Sequence, residues 1–168
     1  MDLKRITDTF FVSDQITADD FDEIVDAGIR SVVCLRPDGE GADQPSFTEI
    51  GATAKEAGLE VHYLPVTPGV VTDEQAQTFA SIMDSLPKPM LGYCRSGTRA
   101  VTLWTLAEAP RRPLTDIVER ARGAGHDMAP VARRIANGGR IPEDQVFASH
   151  DVVIVGAGAA GIAAASSL

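Results

Sequence analysis

The sequence predicts an α/β fold: a mostly parallel central sheet flanked by helices, with a cysteine loop joining a strand to a helix. Two observations carry this. Short apolar runs alternate along residues 10–110 with helical patterns of about ten residues, the signature of parallel βαβ units. The chain also has 168 residues, 44 % apolar and 23 % charged, the length and composition of one ordinary globular domain.

The elements follow in order. "FFVSD" (10–14) is a β-rich run. Thr17 and Asp20 form a capping box before a helix whose stripe is Phe21, Ile24 and Val25, ended by Gly28. "RSVVCL" (30–35) reads as a buried strand, closed by the turn "RPDGE". Ser46 and Glu49 cap a second helix that stops at Gly58, and "EVHYLPV" (60–66) supplies the next strand. Thr72 and Gln75 cap a third helix carrying Phe79, Ile82, Met83 and Leu86 at helical spacing, broken by Pro87 and Pro89. "MLGYC" (90–94) is a strand, and "TRAVTLWTLAEA" a helix stopped by Pro110. Ligands of such sheets sit beyond the carboxyl ends of the strands, and Cys94 lies at such an end.

Residues 1–110 form the first unit. Two shorter helical patterns, "LTDIVERARGAG" and "APVARRIANGG", make a helical extension over 111–136, and 137–149 has linker composition. Residues 150–168, "HDVVIVGAGAAGIAAASSL", then join an apolar run to G-x-G-x-x-G (Gly156, Gly158, Gly161) and an Ala-rich helix, as at the start of a dinucleotide-binding domain. The expected site there is incomplete, lacking a second strand and a ribose-binding acid. The 168-residue chain is therefore expected to hold no cofactor, and a chain extended past Leu168 to be yellow with flavin.

The net charge of −9 argues against a general nucleic-acid binder. "MDLKRITDTF" has no apolar signal region, and no segment reads as a membrane span. With two cysteines, Cys34 and Cys94, a disulfide framework is excluded, although a single bridge between them stays compatible with the sequence. The expectation is a reducing, cytoplasmic setting with free thiols. Basic residues are outnumbered 6 to 17 in residues 1–93 but outnumber acidic ones 9 to 4 in residues 94–140. That segment is either a set of solvated helix faces or an attractive field for a small anion.

In "CRSGTR" (94–99), the backbone N–H groups of a strand-to-helix turn can converge near the Cys94 sulfur, and the following helix adds its positive end. Gly97 can take the backbone angles that tight curvature requires. Arg95 and Arg99 add full charge, and all three effects favour thiolate over thiol. A nucleophilic thiolate in a cationic bowl is the mechanical reading. Cys34, between Val33 and Leu35, reads instead as a packing residue.

Two enzyme classes use such a bowl. Tyrosine and dual-specificity phosphatases place five residues between cysteine and arginine and usually a histidine before the cysteine. Rhodanese sulfurtransferases have a shorter loop, often C-R-x-G-x-R. Cys94-Arg95-Ser96-Gly97-Thr98-Arg99 resembles the rhodanese pattern, with four intervening residues and Tyr93 before the cysteine. Over residues 1–110 the chain resembles the phosphatase-like domain of the beta-lactamase-hydrolase-like proteins, on "ITDTFFVSDQITADDF", "LRPDGE", "VTDEQAQTF" and "YCRSGTR". Cys34 departs from the asparagine of that pattern. The resemblance implies a dual-specificity-phosphatase-like fold carrying a rhodanese-type loop, and fusion to sulfide-handling modules such as FAD-dependent oxidoreductases. It implies a sulfurtransferase that moves sulfane sulfur through a Cys94 persulfide, with Arg99 catalytic and Arg95, Ser96, Gly97, Thr98 and Arg36 binding substrate. Its partners would be a small anionic sulfur donor, a thiol acceptor and a downstream flavin domain. A cysteine-dependent phosphatase and a non-catalytic anion-sensing module are the alternatives.

Other residues carry less. Arg36 and Asp38 either contact substrate or close a turn with a salt bridge. Asp73 fits the first turn of a helix, where a carboxylate meets the positive end of the dipole, better than a general acid. His62 reads as a satisfied structural histidine. His126 and His150 show no metal spacing.

Overall fold

The computed structural model of the chain describes residues 1–69 and 71–145. In order these form β1 (Lys4–Arg5), β2 (Phe10–Ser13), α1 (Phe21–Asp26), β3 (Ser31–Cys34), α2 (Phe47–Glu56), β4 (Glu60–Tyr63), α3 (Asp73–Ser85), β5 (Met90–Tyr93), α4 (Thr98–Glu108), α5 (Leu114–Gly123) and α6 (Ala132–Ala136). Residues 150–168, with the Gly156–Gly161 motif and His150, lie outside the described residues, as does the end of the expected linker.

The caps explain where the helices start. Ser46 Oγ accepts from the Glu49 N–H at 3.3 Å, and Thr72 Oγ1 accepts from the Gln75 N–H at 3.1 Å. The side chain of Asp20 accepts from the Thr17 N–H at 2.7 Å, but this pair opens a 3-10 turn, Ala18–Asp20, before α1 rather than α1 itself. Strands are shorter than expected: β4 ends at Tyr63, three residues before Val66, ahead of Pro65.

The sheet order is β1-β2-β5-β3-β4, with β2, β5, β3 and β4 parallel and β1 antiparallel to β2 at one edge. Cys34 pairs with Tyr63 and Tyr93, and Tyr93 with Ser13, so all four parallel strands end level. The loops that follow them gather on one edge, where Cys94 lies.

Both sheet faces are covered, which is why "VVCL" and "MLGY" are apolar throughout rather than alternating. On one face Val32, Cys34, Leu91 and Tyr93 pack against Phe21, Ile24, Ile50 and Ala54 of α1 and α2. On the other, Phe10, Val33, Leu35 and Met90 pack against α3, α4 and the helical extension. Phe10 stacks on Trp104 at 6.3 Å and meets Phe79 edge-on at 6.0 Å. Helix α4 is buried on nearly every side, because α3, α5 and α6 enclose the part the sheet leaves open.

The extension is tied in by charge as well as by packing. Arg134, 6 % exposed, donates to the carbonyl of Val71, to Asp73 Oδ1 at 2.9 Å and to the Gly139 carbonyl at 3.2 Å. Asp73 also accepts from the Ile141 N–H at 3.0 Å. Arg134→Met leaves these acceptors without their donor. It is expected to lower stability by about 1.5–3 kcal/mol, the range for hydrogen bonds to a charged group, read from urea denaturation. No helix among the described residues is long and apolar enough to cross a membrane.

Candidate active site

Cys94 is the first residue after β5 and is 1 % exposed. The chain then turns through Arg95 and Ser96 to Gly97, which has φ +79° and opens α4. A Cβ on Gly97 would also stand 3.3 Å from His126 Nε2 and 3.4 Å from the Ser13 carbonyl oxygen, so conformation and space both require glycine. Ser96 is held by an antiparallel bridge to Asp14, just beyond β2.

Arg99 does not wave free over the thiol. Its Nη1 and Nη2 donate to Glu40 Oε1 and Oε2 at 2.9 and 2.8 Å, and Nη1 donates to the Val66 carbonyl at 2.8 Å. This two-point pairing of guanidinium and carboxylate sets orientation as well as charge. Glu40 Oε2 also accepts from Arg36 Nε at 2.8 Å, and Arg36 Nη1 donates to Gln15 Oε1 at 2.9 Å. Burial opposes the charge on Arg99, but the hydrogen bonds to Glu40 and the neighbouring Cys94 sulfur more than offset it, raising its pKa. The Arg99 hydrogen bond holds the Glu40 carboxyl below the usual glutamate range despite desolvation. Gly41 permits this arrangement, since a Cβ there would lie 2.7 Å from Arg36 Nη2.

Arg95, Ser96 and Thr98 are exposed. Ser96 Oγ and Thr98 Oγ1 are 3.2 Å apart, and Thr98 Oγ1 is 3.5 Å from His126 Nδ1. Burial pushes the His126 pKa down, so the ring beside the loop is neutral at neutral pH. Among the described residues Arg95 pairs with no carboxylate, whereas Arg111, Arg112, Arg120, Arg133 and Arg134 each do. The basic excess of residues 94–140 is therefore largely ion-paired helix surface, and Arg95 is the loop's unpaired guanidinium.

The other expected residues fall elsewhere. Arg36 is 7 % exposed and stands behind Glu40, while Asp38 Oδ1 accepts from the Phe47 N–H at 2.8 Å and so anchors the start of α2. The salt bridge of this turn joins Arg36 to Glu40, at 2.8 Å, and Asp38 takes part in none among the described residues. Asp73 is bound to Arg134, which accounts for its place in the first turn of α3. His62 is a correction: it is exposed on edge strand β4, and its ring has no hydrogen-bond partner among the described residues. An edge strand leaves that face to solvent.

Cys34 and Cys94 are both free and buried. Side chains alternate across a strand, and these two point to opposite faces: Cys34 joins the α1–α2 layer and Cys94 the α3–α4 layer. A bridge between them would have to pass through the sheet. Burial pushes the Cys34 thiol up, and it donates to the Arg36 carbonyl at 3.4 Å. Among the described residues no group of three or more His, Cys, Asp or Glu is placed to hold a metal ion.

Glu40 is the site residue that the sequence pattern did not reveal. It lies 59 residues from Arg99, in a turn whose composition accounts for itself.

Comparison with known proteins fits this geometry. Residues 2–111 match the family described as beta-lactamase hydrolase-like protein, phosphatase-like domain. The chain belongs to that family. A beta-lactamase hydrolase-like protein of Agrobacterium fabrum is 30 % identical over 131 residues, covering 77 % of this chain but 30 % of the relative's length. A provisionally assigned phosphatase of Neisseria meningitidis superposes with a TM-score of 0.75 at 31 % identity, over 82 % of this chain and 99 % of its own. The core catalytic domain of the PP-IP phosphatase SIW14 of Saccharomyces cerevisiae, in complex with citrate, gives a TM-score of 0.64 at 17 % identity, over 90 % of this chain and 93 % of its own. The fold is thus phosphatase-like, with β1 making the sheet mixed.

Proposed function

We propose that this chain is a thiolate enzyme that passes sulfane sulfur from an anionic donor to a thiol through a Cys94 persulfide. The observation that carries this reading is the loop: four residues separate Cys94 from Arg99, and Glu40 and Val66 hold Arg99 in place beside it. A loop of this length suits one sulfur atom better than the three free oxygens of a phosphate monoester.

In the first half-reaction the Cys94 thiolate attacks the sulfane sulfur of thiosulfate. The new S–S bond forms as the donor's S–S bond breaks, and sulfite leaves with the bonding pair. In the second, an acceptor thiol passes its proton to the outer sulfur of the Cys94 persulfide and its own sulfur attacks there; the S–S bond to Cys94 breaks and Cys94 leaves as thiolate. Arg99 and the loop N–H groups hold the anionic sulfur, and Arg95 meets the donor at the rim. Arg36 acts through Glu40. We assign the donor and the thiol as small cytoplasmic molecules, and residues 150–168 as the start of a flavoprotein domain that uses the product or supplies the substrate.

Phosphomonoester hydrolysis is the second reading, and the comparisons favour it: the family is described as phosphatase-like, and the neighbours from Neisseria meningitidis and Saccharomyces cerevisiae are described as phosphatases. The SIW14 domain, at 17 % identity, speaks for the fold alone, while the Neisseria meningitidis protein, at 31 %, also supports this second reading. Two measurements separate the readings. Mass spectrometry after incubation with thiosulfate is expected to show one added sulfur on Cys94. Hydrolysis of an aryl phosphate is expected to be far slower than thiosulfate–cyanide sulfur transfer, and inserting one residue between Cys94 and Arg99 to raise it. Fast phosphate hydrolysis without sulfur loading would establish the phosphatase reading instead.

A further inference from the structure

We propose that His126, which the helical extension delivers to the nucleophile loop, is a positioning residue: its ring backs Gly97 and, through the Thr98 hydroxyl, fixes the turn that presents Cys94. The inference rests only on Cys94 being the nucleophile, which sulfur transfer and phosphate hydrolysis have in common.

The ring meets two loop residues at once. His126 Nδ1 lies 3.5 Å from Thr98 Oγ1, which is 3.2 Å from Ser96 Oγ. His126 Nε2 and Cε1 stand 3.3 and 3.5 Å from where a Cβ on Gly97 would be. Gly97 is the loop's positive-φ residue, and a glycine has the most backbone freedom to lose when a turn is fixed. A flat ring laid against it limits that freedom from outside. The bridge between Ser96 and Asp14 already steadies the loop from the side of β2. The turn that carries the ring is itself tied down. The His126 N–H donates to the Ala121 carbonyl at 2.9 Å, Gly125 takes φ +86°, and Ala124 and Met128 on either side are buried.

Core packing does not account for this placement. The ring is half-buried and borders an open cavity of about 290 Å³, together with Lys4, Asp14, Ser96 and Gly97. Lys4 is paired there with Asp2 at 2.8 Å, and burial keeps the ring neutral at neutral pH. With its proton on Nε2, the ring accepts at Nδ1 from the Thr98 hydroxyl, whose oxygen accepts in turn from Ser96. That chain joins both loop hydroxyls to the extension, with Gly97 between them. Thr98 opens α4 and precedes Arg99, so a shift of Thr98 moves the guanidinium with it. Misplacing a catalytic group by an ångström is enough to slow an enzyme.

The test is the rate at which iodoacetamide alkylates Cys94, followed by mass spectrometry in a Cys34→Ser background; it needs no substrate. His126→Phe keeps a flat ring without nitrogens and is expected to slow alkylation about five- to tenfold, the scale of one net hydrogen bond. His126→Asn returns a polar group near the Nδ1 position and is expected to recover most of the rate. Thr98→Val should match His126→Phe, and the double variant should be no slower than either, because the two residues act through one contact. In turnover the loss should fall on kcat rather than on the KM for thiosulfate. A merely structural role would lower urea midpoints without separating Phe from Asn. Unchanged or faster alkylation in His126→Phe, no recovery in His126→Asn, or losses that multiply in the double variant would overturn the proposal. Absence of added sulfur on thiosulfate-treated wild type would fell the sulfur-transfer reading and leave this test standing, since alkylation reads the loop whichever chemistry it serves.

Discussion

Cys94→Ser is expected to abolish sulfur transfer from thiosulfate to cyanide, with a loss on the order of 10⁴-fold or more, as when an enzyme's nucleophile is removed. A serine hydroxyl in the same place keeps the loop amides and Arg99 but cannot carry the sulfur. Cys34→Ser is the control, and it is expected to retain most of the activity. Cys34 faces the α1–α2 layer, burial keeps its thiol protonated, and a serine hydroxyl can make the same hydrogen bond to the Arg36 carbonyl. Its cost falls on stability, at about 1–3 kcal/mol for burying a more polar group. Equal rates for wild type and Cys94→Ser would end the covalent mechanism.

Glu40→Gln is expected to have the second-largest effect. It removes the one carboxylate shared by Arg36 and Arg99, whose side chains are 9 % and 13 % exposed, and leaves two guanidiniums facing each other. Displacing Arg99 by an ångström is enough to reduce turnover about 10²-fold. Breaking a buried pair costs about 3–5 kcal/mol, and the partly exposed Glu40 carboxylate belongs at or below the lower end. Acid gives a separate signature. The folded-state pKa of Glu40 is depressed, so its contribution to stability is complete above the ordinary glutamate value and is lost as pH falls through the lower folded value. Urea midpoints of the wild type should therefore fall over that acid range, and Glu40→Gln should lack that part of the fall. Unchanged turnover in Glu40→Gln would mean that Arg99 is held by Val66 alone.

What the sequence made legible was local. The capping pairs Ser46–Glu49 and Thr72–Gln75 mark true helix starts, Pro87 follows the end of α3, and Gly97 sits at the one loop position with positive φ. Cys94 directly follows a strand because β5 is an apolar run that polar residues close. What stayed hidden was pairing at long range. A two-residue strand such as β1 has too few residues for any period, and its antiparallel seat beside β2 is set by hydrogen bonds to Val12 and Phe11. Glu40, Gln15 and the Val66 carbonyl converge on two arginines from three separate loops, and nothing near each of them in the chain marks that meeting. His62 misled because its strand turned out to lie at the sheet edge, a matter of strand order rather than of neighbouring residues.

The continuity of the core past the recognised family segment bears on how the fold can be cut and moved. The matched residues stop at 111, yet Ile117, Ala121, Met128 and Ile135 lie in the same apolar cluster as Phe79 and Trp104. Arg134 reaches back to the loop that steadies Arg99. A graft ended at residue 111 would carry the thiol and both loop arginines but strip one wall from α4, leaving a sticky, slack module. The portable piece ends no earlier than Ile141, whose N–H completes the knot on Asp73.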